Sequence, residues 1–246
     1  MFLEFERIEN VRDMGGLTRL DGKRIREGRL YRTGHLHHAT ESDIRRLEEL
    51  GIACVVDFRD YGEVRRSPDA DIPGAKHLHL PALPPLDSLF PPYGTATPKQ
   101  AHEAFTSLYR YLGLSPEAME AYTAFFRELL ALEGQPVIFH CTQGKDRTGV
   151  AAILLMSALG FERETVIEEY MRTNQFMQGV LDGMIRARVS EDELAVAREV
   201  FWVFEENVRY YFHCIEVEYS SMETYLELAL NLGPEEIEKL KEYYLE

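Results

Sequence analysis

The chain has 246 residues, 45% hydrophobic and 28% charged, which is the ordinary composition of a globular domain. Its 27 lysine and arginine residues stand against 42 aspartate and glutamate residues, so the formal charge is −15. A surface this acidic repels nucleic acid and anionic lipid, so we expect any anionic ligand to be bound by a local group of cations.

The first part of the chain predicts short strands separated by a helix. A turn at Asp21-Gly22 predicts a hairpin over residues 21–33. Thr40 and Asp43 have the spacing of a capping box, so a helix is expected from there to Gly51. The β-branched run 52–56 indicates a buried strand that ends at Asp57.

The rest of the chain alternates once more and then becomes helical. The expected elements are a strand at 77–80, a proline-rich loop at 81–98, helices at 98–113 and 116–132, a strand at 136–139 and a helix at 148–156. Further helices are expected to start at Arg163, Ser190, Ser220 and Pro234. This order predicts one α/β domain over residues 1–246, with three layers, a small and mostly parallel sheet, and a helical C-terminal region.

The segment His-Cys-Thr-Gln-Gly-Lys-Asp-Arg-Thr-Gly, residues 140–149, joins a predicted strand to a predicted helix. In that context the loop N–H groups and the helix N-terminus converge and can bind an anion. The helix dipole lowers the pKa of the Cys141 thiol, which makes it a nucleophile near neutral pH. Arg147 can bind two phosphate oxygens at once. The sequence therefore predicts a phosphatase that forms a phosphocysteine.

Other residues of this loop are expected to support the same chemistry. Gly144 allows a tight turn without a Cβ near the phosphate, and the Thr148 hydroxyl is expected to donate to the Cys141 sulfur. His140 is expected to orient the loop from beneath. Lys145 either adds a cation that suits a substrate with several phosphates or points to solvent. The predicted substrate contacts in the loop are Thr142, Gln143, Gly144, Lys145 and Thr148.

The leaving oxygen also needs a general acid. Residues 88–145 contain no aspartate, so the best candidate is Asp146 inside the loop, and a purely structural carboxylate is the alternative. Asp57 is the second candidate, since it ends the neighbouring strand where ligand sites gather in α/β sheets. Arg59 could add positive charge there, or the two could form an ion pair at the strand end.

Three other functions could use a loop of this kind, and the residues present bear on each of them. A nucleotide-binding loop needs Ser or Thr after the lysine and Gly five positions before the second glycine, where this chain has Asp146 and Phe139. A phosphate-binding module without turnover and a rhodanese-like sulfurtransferase stay open. No metal or cofactor is predicted, because thiolate chemistry needs none and the histidines His35, His37 and His38 lack ligands at metal-binding spacing.

The three cysteines bear on the compartment. An odd, low count argues against a disulfide framework and favours a reducing environment, and we interpret Cys54 and Cys214 as packing residues. The first residues carry charges where a signal peptide has an apolar run, and no segment approaches the ~20 apolar residues of a membrane span. We expect a cytoplasmic protein. Secretion by a route that needs no signal peptide is the alternative.

The chain resembles the atypical bacterial tyrosine/serine phosphatases of the protein tyrosine phosphatase superfamily. The matching segments are residues 10–17, 28–34, 56–59 (with Phe58 in place of leucine), 140–149, 170–174 and 219–226. Members of this group include secreted virulence enzymes that act on phosphotyrosine, phosphoserine/threonine and phosphoinositides.

The resemblance implies a phosphatase fold with Cys141 as nucleophile, Arg147 as phosphate-binding residue and Asp146 as acid. The expected partners are accordingly phosphorylated proteins or phosphoinositides. Some members cover the active site with a pair of helices, and residues 98–132 are placed to form such a lid. The sequence leaves the oligomeric state undetermined.

Overall fold

The computed structural model describes residues 2–85 and 95–246. Half of the loop expected at 81–98, residues 86–94, therefore lies outside the described residues. Within the described part the chain forms five strands and eleven helices. None of these helices combines the length and the apolarity that a membrane span requires.

A five-stranded sheet lies at the centre of the structure. Its strands, in chain order, are β1 (Arg12–Asp13), β2 (Leu30–Thr33), β3 (Cys54–Asp57), β4 (Lys76–His79) and β5 (Val137–His140). They are arranged in the order β1-β2-β5-β3-β4, and every neighbouring pair is parallel except β1 and β2. The prediction of a small, mostly parallel sheet is confirmed.

The helices follow the same chain order and dominate the second half. They are α1 (Glu41–Glu49), α2 (Tyr61–Arg66), α3 (Pro98–Leu114), α4 (Pro116–Ala131), α5 (Asp146–Ala158), α6 (Arg163–Met171), α7 (Thr173–Arg186), α8 (Glu191–Phe201), α9 (Glu205–Tyr219), α10 (Met222–Leu228) and α11 (Pro234–Tyr244).

Alternating side chains of the central strands supply two separate hydrophobic cores. On one face, Val55 and Ile138 pack with Leu47 of α1 and with the N-terminal segment. On the other face, Phe139 packs 5.2 Å from Phe125 of α4, measured between ring centroids. Strands buried on both faces need apolar residues at every position, which is why they read as continuous β-branched runs. The three-layer α/β/α arrangement is thereby confirmed.

The predicted hairpin over residues 21–33 is wrong. The turn exists, because Gly22 N–H donates to the Arg19 carbonyl at 3.0 Å and Thr18 pairs with Arg24. However, Leu30–Thr33 does not pair with the segment before this turn. It lies in the sheet between β1 and β5. Burial between two strands sets its register more strongly than a local turn does.

In the C-terminal region the helix start predicted near Ser220 is shifted by one residue, and two further helix starts were not predicted. Ser220 ends α9 in a left-handed conformation with φ 70°, and the N-cap of α10 is Ser221, whose side chain accepts from Thr224 N–H at 3.1 Å. The helices α7 and α9 begin at positions for which no start was predicted, and neither carries an N-cap side-chain hydrogen bond. A start without a cap signal is not visible in a sequence pattern.

The strand register brings three chain segments together at one edge of the sheet. His140 is aligned with Thr33 of β2 on one side and with Asp57 of β3 on the other. Because these strands are parallel, their carboxyl ends meet at this edge, where ligands bind in open α/β sheets. The loop that follows β5 is therefore flanked by the ends of β2 and β3.

Candidate active site

Cys141 lies directly after β5 and is 3% exposed. Burial alone would raise the pKa of its thiol, but the net direction is downward. The positive charge of Arg147 and hydrogen bonding from the Thr148 hydroxyl and N–H lower the pKa, against a smaller opposing effect of Asp146. The buried Thr148 hydroxyl makes no hydrogen bond to an oxygen or nitrogen of the described residues, which leaves it available to the sulfur.

Helix α5 begins at Asp146, two residues earlier than the sequence indicated. Asp146 and Arg147 thus belong to its first turn and are not at the end of a free loop. The helix N-terminus and its N–H groups lie next to the Cys141 loop, which favours an anion there. This position brings the predicted nucleophile, phosphate-binding residue and acid into one short segment.

Arg147 is held by a residue that the sequence analysis did not identify, Glu63 of α2. Its Nη1 and Nη2 donate to Oε2 and Oε1 of Glu63 at 2.5 and 2.9 Å, and the Thr142 hydroxyl also donates to Glu63. Although burial acts to raise it, these partners lower the pKa of Glu63 to about 2. The carboxylate in turn raises the pKa of Arg147. Within residues 2–85 and 95–246, Nε of Arg147 has no acceptor and remains for a ligand.

The sequence offers a different and local explanation for Glu63. It stands three residues after the N-cap Asp60, and the two form a capping box in which Asp60 N–H donates to Oε2 at 2.9 Å. That pattern predicts a helix start and nothing more. The contact with Arg147 spans 84 positions in the chain and becomes visible only in the fold.

Asp146 has two donors on one oxygen. The Tyr109 hydroxyl of α3 donates to Oδ1 at 2.7 Å, and Nζ of Lys145 donates to the same atom at 2.9 Å. The Lys145 side chain is 2% exposed and its Nζ lies 4.5 Å from the centroid of the Phe105 ring. Lys145 therefore does not point to solvent, which was the alternative left open by the sequence.

Gly144 adopts a left-handed conformation with φ 64°, as a tight turn requires. A Cβ at this position would lie 2.3 Å from the Thr33 carbonyl oxygen. Glycine is thus needed because the loop packs against the end of β2. From the sequence alone, the space around the phosphate was the expected reason for this glycine.

Buried polar groups hold the loop from the β2 side. Asn10 donates to the Gln143 carbonyl at 2.8 Å, and Nη2 of Arg32 donates to the Gly144 carbonyl at 3.0 Å. Nε of Arg12 and Nη1 of Arg32 both pair with Oε1 of Glu169, at 3.3 and 3.4 Å. These residues come from motifs of the first half of the chain and from α6, and they converge on two loop carbonyls. The predicted substrate contact Gln143 is thus fixed through its main chain.

A second group of ionic side chains lies on the β3 side. Arg59 is 1% exposed and donates to Asp57, to Asp69 and to the Ser67 carbonyl, so it forms the ion pair at the strand end that was the alternative to substrate binding. Nδ1 of His140 lies 3.1 Å from the Cys141 carbonyl oxygen, so His140 supports the loop from beneath. Nδ1 of this histidine lies 3.9 Å from Oδ1 of Asp57, and its Nε2 lies 3.1 Å from Oδ2 of Asp69, which accepts from Arg59.

The carboxylates of Asp57 and Asp69 with the ring of His140 form the one metal-compatible cluster in the described part of the chain. The Arg59 guanidinium already bonds to both carboxylates, and ion pairing explains their proximity. Burial lowers the pKa of His140, but the two carboxylates raise it overall. The raised pKa favours the protonated imidazole, which donates hydrogen bonds and offers no lone pair to a metal ion.

A thiol of lowered pKa, an arginine fixed beside it and a helix N-terminus beneath the loop together define an active site of the phosphatase class. Residues 3–246 match the tyrosine phosphatase family, and the chain belongs to that family. This confirms the resemblance found in the sequence motifs.

Individual relatives are similar over most of their length. The chain is 36% identical to a tyrosine-protein phosphatase homologue of Cupriavidus necator, over 99% of this chain and 88% of that protein. It is 30% identical to the triple specificity protein phosphatase PtpB of Mycobacterium tuberculosis, over 68% and 67% of the two chains. Among solved structures, the core catalytic domain of the PP-IP phosphatase SIW14 of S. cerevisiae matches with a TM-score of 0.35 and 14% identity, over 84% of this chain and 93% of that one.

Proposed function

We propose that this tyrosine phosphatase family enzyme hydrolyses phosphomonoesters in two steps through a phosphocysteine at Cys141. In the first step the thiolate attacks phosphorus, the P–S bond forms, the P–O ester bond breaks, and Asp146 protonates the leaving oxygen. In the second step water attacks phosphorus, Asp146 accepts its proton, and the thiolate leaves. The lowered pKa of Cys141 carries this proposal, because a thiolate is needed both as nucleophile and as leaving group.

Arg147 and the loop have the binding role in this mechanism. The unoccupied Nε–H and the remaining protons on Nη1 and Nη2 of Arg147 can bind phosphate oxygens while Glu63 holds the guanidinium in place. The backbone N–H groups of Thr142, Gln143, Gly144 and Lys145 complete the anion site at the helix N-terminus, and Thr148 supports the thiolate.

Phosphotyrosine in proteins is the proposed principal substrate, with phosphoserine/threonine and phosphoinositides as further candidates. The relative named a triple specificity phosphatase supports testing all of these classes. Lys145 gives less support for a polyphosphorylated substrate than the sequence indicated, because it is buried against Phe105 and bound to Asp146. The three cysteines are free and buried, which supports a reducing, cytoplasmic location.

The test compares wild type with Cys141→Ser for phosphate release from a phosphotyrosine peptide, a phosphoserine peptide and a soluble phosphoinositide, without added metal. We expect turnover by wild type and a loss of at least ~10³-fold in the variant, because the nucleophile is removed. Cys214→Ser is the matched control, since Cys214 is a buried cysteine of α9 outside the loop.

Two results would contradict the proposed mechanism. Equal phosphate release by wild type and Cys141→Ser would exclude a phosphocysteine. Absence of release from every substrate would favour a phosphate-binding module, and persulfide formation on Cys141 from thiosulfate would then identify a sulfurtransferase.

A lid role for residues 98–132 is proposed for the first half of α3 alone. Phe125, Phe126 and Leu129 place α4 in the core, whereas α3 begins at the exposed residues Pro98 and Lys99 and reaches Lys145 through Phe105. Vanadate binding is expected to slow hydrogen exchange of residues 98–105 if they close over the loop. Unchanged exchange in this segment would argue against the lid.

A further inference from the structure

Helix α3 contacts the catalytic segment through two aromatic residues that are one helical turn apart. Phe105 packs on the Lys145 ammonium group, and Tyr109 donates to the neighbouring Asp146. Side chains at i and i+4 lie on the same face of a helix, so a single face of α3 contacts two successive residues of the loop. Tyr109 is 1% exposed, and this contact is therefore largely shielded from water.

The donors around Asp146 define which of its oxygens is free. Oδ1 accepts from both Tyr109 and Lys145, and no group in the described part of the chain donates to Oδ2. The Asp146 side chain retains 16% exposure, against 2% for Lys145. An oxygen that already accepts two hydrogen bonds is a poor place for a proton, so a proton on this carboxyl group belongs on Oδ2.

A second tyrosine fixes the direction of the Tyr109 hydroxyl. Tyr170 of α6 is hydrogen-bonded to Tyr109 through their hydroxyl groups. Each hydroxyl has one proton, so when Tyr109 donates to Asp146, Tyr170 donates to Tyr109. Gly149 makes this arrangement possible, because a Cβ there would lie 2.6 Å from the Tyr170 ring. The chain Tyr170, Tyr109, Asp146 is thus built into the packing of α3, α5 and α6.

We propose that Tyr109 is a positioning residue for the general acid, which holds Oδ1 of Asp146 and directs the transferable proton on Oδ2 toward the leaving oxygen. This inference rests on the proposed function, in which Asp146 is the acid. The balance of the step is simple: the P–O bond breaks with its electrons on oxygen, and that oxygen takes the proton from Oδ2. Tyr109 and Lys145 keep their own protons throughout.

The test is Tyr109→Phe, assayed with phenyl phosphate, which has a poor leaving group, and with p-nitrophenyl phosphate, which has a good one. A poor leaving group needs protonation, so we expect kcat/KM to fall about tenfold with phenyl phosphate and less than about threefold with p-nitrophenyl phosphate. A purely structural role would reduce both rates together, whatever the leaving group.

Two further variants serve as comparisons for Tyr109→Phe. Tyr244→Phe is the matched control, because Tyr244 is a fully buried tyrosine whose hydroxyl donates to the Leu129 carbonyl at 3.0 Å, away from the loop. It should leave the leaving-group dependence unchanged. Tyr170→Phe removes the hydroxyl behind Tyr109 and should give a smaller effect in the same direction, and it replaces the main test if Tyr109→Phe does not fold.

Asp146→Asn separates the failure of this inference from that of the proposed mechanism. If Asp146→Asn strongly slows phenyl phosphate hydrolysis while Tyr109→Phe and Tyr170→Phe behave like Tyr244→Phe, Asp146 is the acid and the positioning role is wrong. If Asp146→Asn has no leaving-group-dependent effect, another residue is the acid and both proposals are overturned.

Discussion

Two of the buried groups of arginines and carboxylates around the catalytic loop differ in their balance of charge. The first group, which we call the front pair, has one arginine and one carboxylate. The side chains of Arg147 and Glu63 are 6% and 9% exposed. The second group, which we call the rear group, lies on the β2 side of the loop. In it Arg12 and Arg32 share Glu169, and the three side chains are 1%, 0% and 3% exposed. The side chains of the front pair are slightly exposed to solvent, and those of the rear group are almost completely buried.

The difference indicates separate tasks. The surplus donors of the rear group hold the loop in shape: Nη2 of Arg32 bonds to the Gly144 carbonyl, and Arg12 bonds to Asn10, which donates to the Gln143 carbonyl. Its excess of positive charge is costly, since burial and then the charge of Arg32 lower the pKa of Arg12 to about 9. The front pair leaves Nε of Arg147 without an acceptor and can take a phosphate. We therefore expect substitutions in the front pair to act mainly on catalysis, and substitutions in the rear group to act mainly on the stability of the fold.

The largest expected effect is at the front, in Arg147→Lys. A lysine keeps the charge but cannot bind two phosphate oxygens and Glu63 in a planar fork, so kcat/KM with a phosphotyrosine peptide should fall by about 10³-fold. Steady-state kinetics measures this, with Arg209→Lys at a surface ion pair as control. A loss below tenfold would show that positive charge alone suffices and would end the distinction between the two groups.

A smaller effect is expected behind the loop, in Glu169→Gln. The substitution leaves two buried guanidinium groups without a counter-charge, so the free energy of unfolding should fall by about 3–5 kcal/mol. Glu63→Gln should lower it less, by about 1–3 kcal/mol, because Arg147 is closer to solvent. Urea unfolding of both variants compares them directly.

Kinetics of the same two variants sharpens the comparison. Glu63→Gln loosens Arg147 and should lower kcat/KM by about tenfold under conditions where it is fully folded. Glu169→Gln should retain more activity whenever it is folded. The reverse order of stability losses, or of activities, would contradict the assignment of tasks.

The sequence predicted most of what local pattern determines. The thiol, the arginine, the proposed acid Asp146 and the first turn of α5 lie within one ten-residue segment, so their proximity follows from the strand-loop-helix context. The central strands were visible because burial on both faces demands apolar runs. The Asp57–Arg59 ion pair was also foreseen as one of two alternatives, since the two residues are neighbours on one strand end.

Contacts between distant segments were not predictable from one sequence. Glu63 has a complete local explanation as a capping-box residue, so nothing in its surroundings signals a second role. Tyr109 and Glu169 lie on the helices α3 and α6, where tyrosine and glutamate are ordinary residues, and only the packing of these helices shows what they touch. The hairpin error has the same origin, because a local turn signal was followed where long-range strand pairing decides the position of β2.

The smallest predicted effect concerns acid stability and returns to the front pair. The pKa of Glu63 in the folded state, about 2, lies below its ordinary value of 4.5, so the unfolded chain binds more protons between these values. The stability from Glu63 is thus fully present above about pH 5 and is lost as pH falls toward 2, at most about 3 kcal/mol in total. The stability difference between wild type and Glu63→Gln, measured by urea unfolding, should shrink over this range. Glu164→Gln is the control, because Glu164 pairs with Arg209 on the surface and its removal should give no resolvable pH-dependent difference. A difference between wild type and Glu63→Gln that stays constant from pH 6 to pH 3 would mean that the Glu63 carboxylate does not gain its stability from Arg147.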